Sequence, residues 1–148
     1  MTLLSRIEKD YIASYKAKKE LRVAVLRMLK AAVKNRQVEL MRPLEDDEVL
    51  EVVVRQGKQR NDSIEQFRAA NRDDLAEKEA AELEILQEFM PTALSPEELE
   101  KVVDQAVASL GASSMKDMGK VMNTVMGEYK GRVDGKALSA LVRSRLSS

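Results

Sequence analysis

The chain has 148 residues, 44% hydrophobic and 34% charged, and contains neither Cys nor His. That length suits one ordinary domain or two small helical subdomains; the missing residue types exclude a disulfide framework, a Cys/His zinc site, a thiol nucleophile and imidazole acid–base catalysis. The zero net charge is an average: residues 1–42 carry 11 Lys/Arg against 4 Asp/Glu, residues 43–110 carry 7 against 18, and residues 111–148 carry 7 against 3. A partner would meet two basic ends and an acidic middle. The apolar runs are too short for a membrane span, and the N-terminus lacks the apolar segment of a signal peptide. A cytoplasmic location is the expectation.

Apolar residues recur at three- and four-residue spacing along nearly the whole chain, which predicts an all-α protein. Helix one is expected over Thr2 to Lys18, with Leu3, Leu4, Ile7, Tyr11 and Tyr15 recurring along its apolar period. Helix two is expected from Glu20 to Met41, burying Leu21, Val25, Met28, Leu29 and Ala32, with Arg27, Lys30 and Lys34 along another face. That basic row reads either as a solvated face or as a face for an anion. Arg42-Pro43 ends the helix, because the residue before proline resists helical geometry. The acidic cluster Glu45, Asp46, Asp47 and Glu48 opens helix three, where negative charge complements the helix dipole. Val49, Val53, Gly57, Arg60, Ile64 and Phe67 follow one face as far as Ala70, and a close helix crossing would explain Gly57. Helix four runs from Arg72–Asp74 to Met90, burying Leu75, Leu83, Leu86 and Met90, with Ala81, Ile85 and Phe89 beside them.

Pro91 stops that block, and Ser95-Pro96-Glu97-Glu98 starts helix five: an N-cap serine, proline in the first turn and a glutamate three residues on. Helix five buries Leu99, Val102, Val103, Ala106 and Leu110. Five of the six glycines then fall between Gly111 and Gly135. Glycine is unfavourable inside helices, so this density needs a reason. Gly111 and Gly127 fit helix C-caps. Gly119 interrupts the period Met118, Val121, Met122, Val125 of helix six, with Lys116 and Lys120 one turn apart beside it. Ser113 and Ser114 read as N-caps of that helix. A loop from Gly127 to Val133 carries Lys130 and Arg132, and Asp134 is the expected N-cap of helix seven, which buries Leu138, Leu141 and Val142. Two explanations of these glycines stand: close helix packing and tight turns, or a bare backbone flanked by cations for a bulky anion. For Gly119 the packing explanation is the weightier. The expected organisation is an N-terminal four-helix subdomain over 1–91 and a C-terminal three-helix bundle over 95–148.

The stretches RMLKAAVKN (Arg27 to Asn35), KQRNDSIEQF (Lys58 to Phe67), Asp74 to Pro91, and MGKVM followed by GRVDG resemble the YqeY-like proteins of the GatB/YqeY family along the whole chain. The last third is similar to the C-terminal tail of the B subunit of tRNA-dependent Asp/Glu-tRNA amidotransferase. The resemblance implies four helices followed by three, with 95–148 the kind of module that holds the outer corner of tRNA in the amidotransferase. It carries Gly119, Lys120, Gly131, Arg132, Asp134 and Gly135 over by position. Asn123 stands where the family has a small residue, Val133 replaces a usual alanine, Asn71 a usual glycine, and Gly57 a usual non-glycine.

The leading functional expectation is a non-catalytic module contacting tRNA through Lys116, Gly119, Lys120, Lys130, Gly131, Arg132, Asp134, Gly135 and Lys136, with Arg27, Lys30 and Lys34 as a secondary basic face. Phosphate neutralisation would dominate and affinity would fall with salt. With two Phe, three Tyr and no Trp, base stacking is not expected. A second possibility, implied by family association, is carbon–nitrogen ligation with glutamine as amido donor. Only serine and lysine remain as nucleophiles for it, Ser113 and Ser114 near Lys116 being the ones available. A third is a protein-binding adaptor on a tRNA-handling enzyme, docking through the acidic face of helices three and four or through Met115, Met118, Met122 and Met126. No P-loop or dinucleotide fingerprint appears. No cofactor, metal or membrane partner is expected, and the chain is expected to be a monomer.

Overall fold

The computed structural model describes residues 1–147. Seven helices follow one another: α1 (Leu3–Lys16), α2 (Glu20–Leu40), α3 (Asp46–Ala69), α4 (Asp73–Gln87), α5 (Pro96–Leu110), α6 (Met118–Glu128) and α7 (Gly135–Leu146), with a 3-10 turn at Met115–Asp117 before α6. No strand occurs among the described residues, so the fold is all-α, as the periodicity predicts.

Local chemistry sets the boundaries. Thr2 caps α1 by accepting from Ser5 N at 3.1 Å, and Ser95 caps α5 by accepting from Glu98 N at 3.1 Å while Glu98 reaches back to Ser95 N at 3.2 Å. Asp134 caps α7 by accepting from Ala137 N at 3.2 Å. Gly111 ends α5 at φ +62, a left-handed conformation that glycine adopts freely. The turns after α1, α2 and α3 place Lys18, Met41 and Asn71 at φ +58, +56 and +58. Asn71 therefore occupies the position at which glycine is usual in the resembling family, and its short polar side chain makes the left-handed conformation tolerable.

The chain divides into two compact units, Met1–Met90 and the residues from Pro91 onward. In the first, α1 to α4 pack around Ile7, Val25, Leu26, Leu29, Val33, Val49, Val53, Ile85, Leu86 and Phe89. In the second, α5, α6 and α7 pack around Val103, Ala106, Val121, Val125, Leu138, Val142 and Leu146. Gly57 is buried, and a Cβ there would lie 2.6 Å from the Met90 methyl and 3.5 Å from Leu83 Cδ1. The glycine gives α3 room against the α4 segment, the close crossing expected.

Several expected burials shift by about a third of a turn. The α2 core stripe is Val25, Leu26, Leu29 and Val33, while Leu21 and Met28 are exposed. Tyr15 and Leu110 are exposed as well. In a small unit only a narrow strip of each helix faces the core, and neighbouring helices decide which strip. Helix α4 ends at Gln87, and the residues to Met90 form a turn.

Charged groups bind the first unit together. Arg22 on α2 pairs with Asp10 of α1 at 2.5 Å and with Glu88 at 2.6 Å. Arg6 donates to the Glu88 carbonyl and lies 5.0 Å over the Phe89 ring. Arg60 is 5% exposed, pairs with Glu82 of α4 at 3.4 Å and donates to Gln56 Oε1 at 3.1 Å. The acidic cluster opening α3 is used for caps: Asp46 accepts from Leu3 N at 3.1 Å, and Glu48 accepts from Glu45 N at 3.1 Å. Arg42 donates to both oxygens of Glu48 at 2.7 and 2.8 Å and is the main reason the Glu48 pKa is lowered to about 2.

Candidate nucleic-acid interface

Helix α6 is amphipathic in an unusual way. Its inner face buries Val121 and Val125 and half-buries Met118 and Met122. Its outer face exposes Gly119, Lys120, Asn123, Thr124, Met126 and Gly127. Gly119, Asn123 and Gly127 follow one another at four-residue spacing, so they form a single row along the helix. A Cβ added at Gly119 or at Gly127 would meet nothing within 4 Å. The packing explanation of Gly119 is thereby overturned: among the described residues of its unit, no helix packs against that position. Gly127 is not a C-cap either, because α6 continues to Glu128 and is capped by Tyr129, whose N–H donates to the Val125 carbonyl at 2.9 Å. The result is an exposed helical surface with Asn123 as the one side chain in its row.

Lys120 lies on α6 next to this row, but Lys116 sits in the preceding 3-10 turn, not one α-helical turn away on the same helix. The two serines do not cap α6. Instead Asp117 Oδ2 accepts from Ser113 N at 3.0 Å, and this tightens the approach to the helix. The turn carrying Lys116 also lies against α7, so the segment before α6 and the last helix share one side of the unit.

The basic loop has a definite internal structure. Arg132 N donates to the Tyr129 carbonyl at 2.9 Å, closing a turn in which Gly131 stands at φ +77, the third position of a type II turn, where a positive φ is required. Arg132 is tied to the chain just before α5. Its Nε donates to the Thr92 carbonyl at 2.8 Å, its own carbonyl accepts from Leu94 N at 2.8 Å, and its guanidinium stands 5.9 Å from the Tyr129 ring centre. Arg132 thus holds the 92–94 segment, and Asp134 is occupied as a cap. Gly135 opens α7 with open space where a Cβ would be, and Lys136 follows it on the exposed side.

The secondary row of Arg27, Lys30 and Lys34 lies on α2, in the first unit. Lys30 Nζ stands 4.5 Å over the Tyr11 ring, and Arg27 donates to the Tyr11 hydroxyl at 3.4 Å. Hydrogen bonding to Tyr11 is the main cause of the raised Arg27 pKa. The Tyr15 ring lies 6.4 Å from that of Tyr11, inclined by 35°. Sequence reasoning placed both tyrosines on the apolar period of helix one; Tyr11 does pack against the core, while Tyr15 is exposed beside this row. Their four-residue spacing was the available signal, but not the direction in which they point.

Among the described residues no group of three or more acidic side chains is arranged to hold a metal ion, and no helix is long and apolar enough to cross a membrane.

Comparison with known proteins adds the family. A protein of Pyrenophora tritici-repentis called altered inheritance of mitochondria protein 41, mitochondrial, is 31% identical over 146 residues, covering 95% of this chain and 79% of that one. Its namesake in Saccharomyces cerevisiae is 29% identical over 136 residues, covering 91% and 72%. A shorter similarity, 38% over 74 residues, spans 47% of this chain and 12% of the E subunit of the glutamyl-tRNA(Gln) amidotransferase of Thermococcus gammatolerans. This helical module is therefore linked by sequence to amidotransferase-type proteins. The sequence model of the YqeY-like proteins matches residues 4–146, and the chain belongs to that family.

Proposed function

We propose that the chain is a non-catalytic module that binds tRNA through the outer face of α6 and the basic residues beside it. The observation that carries this reading is Gly119: it is exposed, helical and unneeded for packing. A residue that lowers helix stability without serving the fold calls for another role, and a bare helical surface lets a ribose-phosphate backbone come close. Lys120 supplies charge at that face, with Lys116 in the turn before it and Lys130 and Lys136 in the following segments. The similarity to part of a tRNA amidotransferase supports tRNA as the nucleic acid. Arg132 acts in this reading mainly by holding the loop.

The test is binding of total tRNA at two salt concentrations by the intact chain, by Lys116→Glu/Lys120→Glu and by Gly119→Leu. Salt-sensitive binding weakened by both variants is the expected result, the salt slope falling by about one for each phosphate no longer neutralised. Binding that ignores both variants would refute the α6 face as the site. A second reading rests on Met126, which is exposed on the same face: docking of an apolar partner helix. Such docking would be insensitive to salt, and a partner protein, not tRNA, would protect the face.

A further inference from the structure

The basic row on α2 is not an ordinary solvated face, because it is built around two tyrosines of α1. Tyr15 is 63% exposed, although its position in the helical period predicts burial. Tyr11 is half-buried behind it and held from two directions, by Lys30 over its ring and Arg27 at its hydroxyl. The pair is a short aromatic ledge in a positive field. From Leu21 to Val38 α2 contains no acidic residue. Of the two acids within α1, Asp10 is occupied by Arg22 and Ser14, which leaves Glu8.

The low aromatic content argues against stacking of several bases, but one exposed ring serves one base. We propose that this ledge is a stacking site for an unpaired base of a single-stranded oligonucleotide, with Tyr15 as the platform and Arg27, Lys30 and Lys34 meeting the adjoining phosphates. Arg27 to Lys34 spans about 10 Å along α2, the reach of one or two nucleotides. Exposed aromatic rings beside a cationic track are the combination by which proteins hold single strands without reading their sequence. An acidic peptide fits less well, because the face of a tyrosine ring is electron-rich and gains nothing from a carboxylate. The site lies in the first unit, shares no residue with the α6 face and does not depend on the tRNA reading.

The chain has no Trp, and two of its three Tyr form the ledge; the third, Tyr129, lies in the second unit. The part of the tyrosine quenching that Tyr15→Phe removes therefore reports on the ledge. Labelled oligoadenylate is titrated against the intact chain, Tyr15→Phe, Tyr15→Leu and Lys34→Gln, with binding read by anisotropy and by tyrosine quenching, and helicity checked by circular dichroism. Tyr15 is exposed, so both substitutions leave the fold intact. The expected result is binding with quenched emission, retained by Tyr15→Phe and weakened about tenfold by Tyr15→Leu. Lys34→Gln lowers the salt slope by about one. Lys116→Glu/Lys120→Glu keeps the difference in oligoadenylate affinity between the Tyr15→Phe and Tyr15→Leu chains, which separates this site from the α6 face. Equal affinity of Tyr15→Leu and the intact chain would overturn the stacking site. So would equal affinity for duplex, displacement by polyglutamate that does not depend on Tyr15, or the absence of binding. Adenosine monophosphate binding as tightly as the oligonucleotide would overturn the strand as ligand and point to a free nucleotide.

Discussion

Replacing the two open glycines of α6 by alanine separates the demands of folding from those of binding. At both Gly119 and Gly127 an added Cβ has nothing within 4 Å, and neither glycine has the positive φ that would strain alanine. Gly119 is the second residue of α6 and Gly127 the second-last, so each substitution should gain only part of the interior helix-propensity difference, about 0.5 kcal/mol, with nothing subtracted for clashes. The sites are two turns apart, about 12 Å along the helix, so the effects should add to roughly 1 kcal/mol in the double variant. For a chain of this size that is about 3 °C in Tm. Urea unfolding gives the free energy, and an unchanged m-value would show that the native and unfolded states are otherwise the same. The tRNA affinity of the same protein should move the other way and fall, because two methyl groups now stand on the contact face. A double variant less stable than the parent would refute the open-space argument. One that gains stability with tRNA affinity intact would refute the functional explanation of the glycines.

Three further outcomes follow from the first unit. Arg60→Ala should destabilise by about 3 kcal/mol, since it strands the Glu82 carboxylate, which is 15% exposed; Arg60→Met combined with Glu82→Leu should recover most of that loss in the same denaturation assay. Glu48 titrates at about 2 when folded against 4.5 ordinarily, so its contribution to stability is complete above pH 4.5 and is lost as the pH falls toward 2. In Arg42→Ala the carboxyl NMR midpoint of Glu48 should rise toward 4.5, and a midpoint that stays near 2 would show that Arg42 is not the cause. Met41 is 90% exposed at φ +56, so Met41→Gly should relieve a left-handed penalty and raise stability by about 0.5–1 kcal/mol, a gain that thermal unfolding would detect.

Short-range features were legible because their causes are short-range. A capping box at Ser95, a capping aspartate at Asp134 and a left-handed glycine at Gly111 depend on residues within a turn, and the structure has all three. Periodicity told helix from strand along the whole chain. It was less able to choose between adjacent strips of one helix. Val25 and Leu26 are buried while Leu21 and Met28 are exposed, a rotation that only the packing of α2 against its neighbours sets.

The same division runs through the candidate sites. Residue order alone specifies an all-α chain, its family, a run of glycines in a basic segment and a row of cations on α2. It took the packed helices to show that Gly119 faces open space and is not part of a helix crossing, whereas Gly57 is. Composition cannot distinguish those cases, since a missing side chain looks the same whether its place is filled by a neighbour or left empty. Tertiary packing likewise committed Arg132 to the Thr92 carbonyl and turned Tyr15 outward beside Tyr11 and the α2 cations. These contacts join residues far apart in the chain or on different helices, and they exist only once the helices have chosen their faces.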